Sequence, residues 1–151
     1  MTQQTSEMVL TKTVTVALPV EQAFQLYTEG IADWWPYATH SVEKESVETV
    51  VFEPPEGGRV YERAKGGVEH VWGTVVTWDP PSRIVHTWYP GRGEETGQQV
   101  EVSFEPDDGG TRVELVHTGW ETLGDRATEV FANYDTGWDH VLGKYVERAN
   151  A

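Results

Sequence analysis

The stretch DRATEVFANYDTGWDHVLGKYVERA, residues 125–149, decides the fold that this sequence predicts. Its apolar residues recur at spacings of three and four, which is typical of one face of an amphipathic helix. These residues are Ala127, Val130, Phe131, Tyr134, Trp138, Val141, Leu142, Tyr145 and Ala149. At ~1.5 Å per residue the helix would reach about 40 Å, long enough to lie across an entire sheet. The rest of the chain should therefore supply a surface for this helix to cover.

The chain before the helix shows the alternation of apolar and polar residues that marks half-buried strands. In QVEVSFEP, residues 99–106, apolar Val100, Val102 and Phe104 alternate with polar residues, so one face of this strand is predicted to be exposed to solvent. Turn sequences such as EPPEGG, PPS and DDGG separate the segments. Seven strands are predicted in all, at residues 9–17, 40–52, 59–64, 69–79, 83–89, 99–106 and 111–120.

Two short helices are predicted between the first and second strands. Residues 20–30, VEQAFQLYTEG, have helical spacing, and residues 31–37, IADWWPY, form a second helical turn that ends before Pro36. A sheet with one apolar face must be covered, and only the last helix is long enough to cover it. The predicted fold is therefore α+β, a curved antiparallel sheet of about seven strands wrapped around a long C-terminal helix.

Length and charge exclude several classes of protein. Residues 1–151 are predicted to form a single domain, with residues 1–8 as a disordered tail. The formal net charge is −14, which repels phosphate backbones, so no nucleic acid partner is predicted. No membrane insertion is predicted, since no apolar stretch approaches the ~20 residues that cross a bilayer. The chain has no cysteine and begins without a secretory signal pattern, which favours a cytoplasmic location.

Five phrases, in the order of the predicted elements, carry a resemblance to a known family. They are PVEQAFQLYTE (19–29), WWP (34–36), GTVVTWDPPSRIVHTW (73–88), GGTRVELVHTGW (109–120) and GWDHVLGKYVE (137–147). Together they resemble the START-like (SRPBCC) superfamily with its helix-grip fold, and within it the branch related to the activator of heat-shock-protein ATPase. The superfamily includes carriers, cyclases, dehalogenase-like proteins and co-chaperone domains, so the resemblance implies a fold more narrowly than a reaction.

A ligand site follows from this resemblance. In the superfamily the ligand lies between the concave face of the sheet and the long helix, which implies an apolar or aromatic small molecule as the partner of this chain. The predicted ligand-binding residues are Trp35, Tyr61, Trp72, Trp88, His117, Tyr134 and Trp138. The alternative is that these side chains fill the core, because large aromatic residues dominate the buried area of any small domain.

No catalytic motif, metal site or cofactor is predicted from the sequence. The five histidines match no metal-ligand spacing, and no phosphate loop or nucleophile elbow occurs. His117 shares the inward parity of Val113 and Leu115, which favours a hydrogen-bonded core histidine. In the long helix, Gly137 would allow a close approach to the sheet or a ligand, and Asn133 would point a polar group inward.

Three functions are consistent with these observations. The first is binding or transport of an apolar or aromatic molecule, and it is favoured over catalysis. The second is a cyclase- or hydratase-type enzyme in which His117 or Tyr61 acts as acid or base. The third is a co-chaperone-like interaction with another protein, and a homodimer is also consistent. An open cavity of a few hundred Å³ would favour the ligand hypotheses, and a filled core would favour protein interaction.

Overall fold

A computed structural model of the chain describes residues 9–37, 39–89 and 97–151. The predicted disordered tail at residues 1–8 lies outside the described residues. The strands are β1 (Leu10–Val16), β2 (Val47–Phe52), β3 (Arg59–Ala64), β4 (Glu69–Asp79), β5 (Arg83–Thr87), β6 (Gln99–Asp107) and β7 (Gly110–Thr118).

These seven strands form one curled antiparallel sheet, as predicted. Its order is β1-β7-β6-β5-β4-β3-β2, so each strand from β2 to β7 pairs with its neighbours along the chain. β1 pairs with β7 in a continuous register from Leu10 opposite His117 to Val16 opposite Thr111. The two edges of the sheet are therefore β1 and β2.

The long helix α2 (Ala127–Ala149) lies against the concave face of the sheet, which confirms the predicted helix-grip fold. It begins two residues later than predicted, because the preceding Trp120–Arg126 segment is a 3-10 helix interrupted by the non-helical backbone of Gly124. Lys12 of β1 contacts Asp135 of α2 at 2.5 Å and ties the edge strand to the helix. None of the helices in the described ranges is both long and apolar enough to cross a bilayer.

Two short helical segments follow β1, as predicted. The first, α1, spans Val20–Tyr27 and buries Ala23, Phe24 and Tyr27 against the sheet and α2. The second is a 3-10 turn at Ile31–Asp33. The prediction that residues 40–52 are extended is wrong for the first part of that range, because β2 begins only at Val47 and is preceded by another 3-10 turn at Lys44–Ser46.

The reason for this irregular segment lies on β3. Glu62 is fully buried there, and its carboxylate accepts the backbone N–H of Val42 at 2.7 Å and that of Glu43 at 2.8 Å. Hydrogen bonds to a side chain replace the strand pairing that the sequence pattern predicted for this segment. Residues 39–46 consequently form a loop that ends in the 3-10 turn, outside the strands of the sheet.

One end of the sheet–helix interface is filled by interlocking rings, and we call it the closed end. Its rings come from α1, the chain after α1, β6 and α2, and they are Phe24, Tyr27, Trp34, Phe104 and Tyr145. Tyr145 packs edge-to-face on Trp34 and Tyr27, with ring centroids 5.0 and 5.4 Å apart. Its hydroxyl donates to the carbonyl oxygen of Ala23 at 2.8 Å. The Tyr145 side chain is therefore both closely packed and hydrogen-bonded.

Candidate functional site

Away from the closed end, the structure contains a cavity of about 330 Å³ beside α2. We call this part of the molecule the open end. One wall is the face of α2 that carries Tyr134, Gly137, Trp138 and Val141. Tyr134, Trp138 and Val141 are separated by four and three residues, so the helical repeat that predicted a buried face also builds this wall.

The other walls of the cavity come from the chain after β5 and from the loop that precedes β2. Trp88 follows directly after β5, and its backbone N–H donates to the carbonyl oxygen of Gln98 at 2.9 Å. Trp35 and residues 39–42 close the loop side. The indole N–H of Trp35 donates to the backbone oxygen of His40 at 2.8 Å. This hydrogen bond holds the loop against the Trp35 ring.

Four tryptophans fill most of the space next to the cavity. Trp35 is central, with its ring centroid 5.0 Å from Trp72, 6.1 Å from Trp88 and 6.0 Å from Trp138. Trp88 and Trp138 are 5.4 Å apart, and all four side chains are buried. The gap between sheet and helix is therefore largely packed, and the cavity is the part that these rings leave unfilled.

The structure brings together some of the predicted site residues and separates others. Four of the seven line the cavity, namely Trp35, Trp88, Tyr134 and Trp138. Trp72 and His117 lie one layer behind, in contact with Trp35 and Trp138 respectively. Tyr61 follows the opposite parity from inward-facing Glu62, so it lies on the other face of β3, under the guanidinium of Arg59 at 4.1 Å.

His117 is a core histidine held by two described hydrogen bonds. The indole N–H of Trp138 donates to its Nδ1 at 3.0 Å, and its Nε2 lies 2.9 Å from Oε1 of Gln98. Because an indole N–H can only donate, Nδ1 accepts and Nε2 carries the proton that goes to Gln98. The inward position inferred from parity is confirmed, and the ring orients Trp138 from behind.

Glu62 is the residue at this site that sequence reasoning missed. In addition to the two loop amides, its carboxylate accepts the indole N–H of Trp72 at 2.7 Å. One buried side chain therefore fixes both the loop that borders the cavity and a ring behind it. A signal was present, because Glu62 shares the inward parity of Val60 and Ala64 in RVYERA, and a charged residue at an inward position requires partners.

His40 is the histidine in the described cavity lining. Its ring stacks on that of His140 from α2, with centroids 4.9 Å apart and planes 18° apart. Burial, and secondly the charge of His140, lowers the pKa of His40 below its ordinary value. The imidazole is thus neutral near pH 7. The sequence offered His40 only as one of five histidines, since the contact with His140 joins residues 100 positions apart.

The two unusual residues of α2 have different roles. Gly137 lines the cavity, where an added Cβ would lie 3.8 Å from Cδ2 of His40, an ordinary van der Waals distance. Its missing side chain therefore leaves space beside the His40 ring. Asn133 is exposed, so the expectation that it points a polar group inward is wrong. Position 133 falls outside the stripe of α2 that meets the sheet.

Polar groups behind the cavity wall are incompletely satisfied. Within the described part of the chain, Nε1 of Trp88 and Nε2 of Gln98 are buried without a hydrogen-bond partner. An unpaired buried donor costs about 1–3 kcal/mol. Nearby His86 is also buried, and desolvation lowers its pKa to about 4. The open end thus contains buried nitrogen atoms without hydrogen-bond partners, whereas the buried hydroxyl of Tyr145 at the closed end has a partner.

Metal binding finds no support in the described ranges. No group of three or more His, Cys, Asp or Glu side chains there could hold a metal ion. The chemistry available at the cavity is instead that of aromatic faces, one imidazole and a few hydroxyl groups.

Comparison with known proteins adds a family to this geometry. The sequence model of the family described as "Activator of Hsp90 ATPase homolog 1-like protein" matches residues 17–148. Among functionally curated proteins, none matches this chain.

Solved structures similar to this chain include one at substantial identity. It is an anthrahydroquino-gamma-pyrone synthase, Txn09, which is 36% identical over 84% of this chain and 86% of its own, with a TM-score of 0.57. A dimeric Aha1 from Colwellia psychrerythraea is 15% identical over 95% of this chain and 96% of its own, with a TM-score of 0.70. Protein CV1439 from Chromobacterium violaceum is 18% identical over 95% and 99% of the two chains, with a TM-score of 0.66. The last two support the fold alone.

Proposed function

Because this chain belongs to the family of activator of Hsp90 ATPase homolog 1-like proteins, whose fold is in general that of a ligand-binding domain, we propose that it binds an apolar or aromatic small molecule at the open end. The observation that carries this proposal is the cavity of about 330 Å³ bordered by Trp35, Trp88 and Trp138. Its size is at the lower end of the ~300–1,000 Å³ typical of small-molecule sites. The ligand is therefore compact, and aromatic faces on several sides favour a flat ring system.

Tryptophan fluorescence offers a direct test of this binding. A titration panel would contain fatty acids, flavonoids and fused-ring aromatic ketones, and we expect quenching by the fused-ring members because three tryptophans border the site. Gly137→Leu would fill the space beside His40, so this variant should lose the quenching. Gly143→Leu is the matched control, because a Cβ at Gly143 meets nothing within 4 Å.

The outcomes separate the existence of the ligand from its location. No quenching by any class of compound would count against the proposed function. Equal loss in the Gly137 and Gly143 variants would indicate that the ligand lies elsewhere. Loss in the first variant alone, with both variants folded by circular dichroism, would support the cavity as the site.

A second candidate function is catalysis on the bound molecule, and it is favoured by the 36% identity to a synthase. The name of that enzyme describes the formation of a pyrone ring on an anthrahydroquinone, which is an aromatic polycycle of the kind that a tryptophan-lined cavity suits. For this chain we propose a cyclase-type activity as the alternative to simple binding. Conversion of a bound fused-ring ketone to an isomer of equal mass, followed by chromatography and mass spectrometry, would distinguish the two.

Protein interaction remains the third candidate, because the family description names activation of an ATPase. A homodimer is proposed with it, since one structural neighbour is a dimer. Sedimentation velocity would report self-association, and the ATPase rate of an Hsp90 with and without this protein would report activation. No change in either quantity, together with ligand quenching, would leave binding as the function. A cytoplasmic location is part of the proposal and can be checked by cell fractionation.

A further inference from the structure

The two ring nitrogens of His40 have different surroundings. The hydroxyl of Thr39 donates to the carbonyl oxygen of Pro36 at 3.3 Å. The oxygen of that hydroxyl is 2.7 Å from Nδ1 of His40. When the hydroxyl proton points to Pro36, the Thr39 oxygen accepts the Nδ1–H of His40, and the proton of the neutral imidazole is on Nδ1. The contacts of Thr39 with Pro36 and His40 fit this tautomer.

In this tautomer Nε2 carries a lone pair, and its position leaves it accessible. Among the described residues Nε2 of His40 has no hydrogen-bond partner. It faces Gly137, where an added Cβ would be 3.9 Å away, and both residues line the cavity. In this tautomer, a ligand in the cavity meets an unprotonated imidazole nitrogen rather than an N–H group.

The stacked ring of His140 and partial burial both keep His40 uncharged. Each lowers the pKa of His40, with burial as the larger cause. The ring is therefore available as a proton acceptor at neutral pH, and stacking on His140 limits its rotation. An oriented, neutral imidazole beside a ligand cavity is the arrangement required of a general base.

We propose that His40 is a general base for a ligand bound at the open end, and that this ligand is an aromatic ketone or phenol with an acidic C–H or O–H. Thr39 is a positioning residue, because it acts through His40 and does not itself take the proton. The proposal rests on the proposed function, since it needs a ligand in the cavity. It goes beyond binding by assigning an activity and a chemical class of substrate.

The reaction step balances without any further reagent. The lone pair on Nε2 takes the proton, and the electron pair of the broken C–H or O–H bond stays on the ligand as an enolate or phenolate. His40 becomes an imidazolium that keeps its Nδ1–H bond to Thr39. The enolate is then reprotonated by His40, or it adds to a second carbonyl of the same ligand and the new alkoxide takes the proton. Both outcomes are isomerisations, so no oxidant or reductant is needed.

Aromatic walls and a single base restrict the substrate. The ring system packs on Trp88 and Trp138, and the acidic proton must lie next to the ring of His40. Among the described residues, the cavity lining contains no lysine or arginine, so a ligand that carries a carboxylate or phosphate meets no cationic partner from them. A neutral, fused-ring ketone fits these conditions.

Deuterium exchange into 2-tetralone, a two-ring aromatic ketone with acidic C–H bonds, provides a test with the intact protein. Proton NMR in D2O at neutral pD would follow loss of the signals of the carbon next to the carbonyl, and tryptophan quenching would measure binding of the same compound. We expect protein-dependent exchange with the natural chain and a loss of at least about 100-fold with His40→Gln, because a general base contributes about 10²–10⁴-fold. The 2-tetralone concentration that gives half-maximal quenching should stay the same.

Thr39→Val gives a second variant that does not depend on removing the imidazole. It deletes the acceptor for Nδ1, so exchange at saturating 2-tetralone should fall while the half-saturating concentration stays unchanged. A merely structural role of Thr39 would change binding as well. Thr13→Val is the matched control, because Thr13 is an exposed residue of β1. Its exchange rate should equal that of the natural chain.

Each result decides between the two levels of the proposal. Quenching by 2-tetralone without protein-dependent exchange would overturn the role of His40 and leave the ligand site standing. Equal exchange in the natural chain and in His40→Gln would overturn it as well. No quenching by 2-tetralone or by any other ring compound of the panel would overturn the proposed function, and the general base with it. Loss of exchange with retained quenching supports both.

Discussion

Trp34 and Trp35 are neighbours in the sequence and their ring centroids are 5.7 Å apart, yet one belongs to the closed end and the other to the open end. Trp34 packs on Tyr145 at 5.0 Å and Tyr27 at 5.3 Å in the closed end. Trp35 packs on Trp72 and Trp138 and borders the cavity of the open end. Both side chains are buried, and each indole N–H donates to a backbone oxygen. Two tryptophans adjacent in sequence thus contribute to a filled core on one side and to the border of a cavity on the other.

The difference between the ends comes from what covers them. At the closed end α1 lies against the sheet and α2, so Phe24 and Tyr27 fill the space from a regular helix. At the open end none of the described helices takes the place of α1, and residues 39–42 of the loop form the wall instead. A loop held by Glu62 and by the indole of Trp35 cannot supply a continuous row of rings. Four predictions test this comparison, from the largest expected effect to the smallest.

Removal of one tyrosine from each end of α2 should have unequal effects on stability. Tyr145→Ala should lower the free energy of unfolding by about 3–5 kcal/mol, because it removes a fully buried ring and a satisfied hydroxyl. Tyr134→Ala should cost clearly less, since Tyr134 is only half-buried beside the cavity. Urea denaturation of both variants measures the two losses. Equal losses would show that the two ends are packed alike.

Acid should weaken the open end through His86, which contacts the ring of Trp88. Its pKa is about 4 in the folded protein against 6.5 for a free histidine, so the unfolded chain binds the extra proton between these values. Stability is therefore fully present above pH 6.5 and falls as the pH drops towards 4, by roughly 3 kcal/mol in total from this group. His86→Gln should flatten this part of the curve of unfolding free energy against pH. Superimposable slopes for the two proteins would rule out His86 as the cause.

Weakening the Glu62 anchor should loosen the loop wall without disturbing the closed end. Glu62→Gln replaces one acceptor oxygen by an N–H₂ group, which leaves one buried donor unpaired at a cost of about 1–3 kcal/mol. Amide hydrogen exchange at Val42 and Glu43 should accelerate, while the amides of α1 should keep their protection. Glu48→Gln, at an exposed position on β2, is the control and should change neither quantity. Faster exchange in α1 would mean that the ends unfold together.

Alanine at the two glycines of α2 should give the smallest effect. Gly137→Ala and Gly143→Ala should each stabilise the protein by up to about 1 kcal/mol, because alanine has the higher helix propensity and neither Cβ meets a clash. Only Gly137→Ala reduces the space beside His40, so only this variant should weaken ligand quenching. Thermal unfolding and titration of both variants check this expectation. A destabilised Gly137→Ala would show that the cavity wall is tighter than its 3.8 Å contact indicates.

Much of the fold was predictable because each element repeats its own signal. The three-and-four spacing of α2 and the alternation of β6 depend only on which side of an element faces the core. The inward position of His117 followed from the same rule. The rule failed at residues 40–46, where the buried carboxylate of Glu62 accepts hydrogen bonds from backbone amides that lie 19 and 20 positions away in the chain. No local pattern reports a partner at that distance.

The sequence by itself determined the elements, their order, and the stripe of aromatic residues that α2 presents to the sheet. Only the tertiary structure decided that Trp34 packs in the closed end, that Trp35 borders a cavity, and that His40 stacks on His140. Periodicity describes one element at a time, so it identifies which side chains point inward. A cavity is the volume that side chains from several elements leave unfilled, and that volume is set only when those elements are packed together.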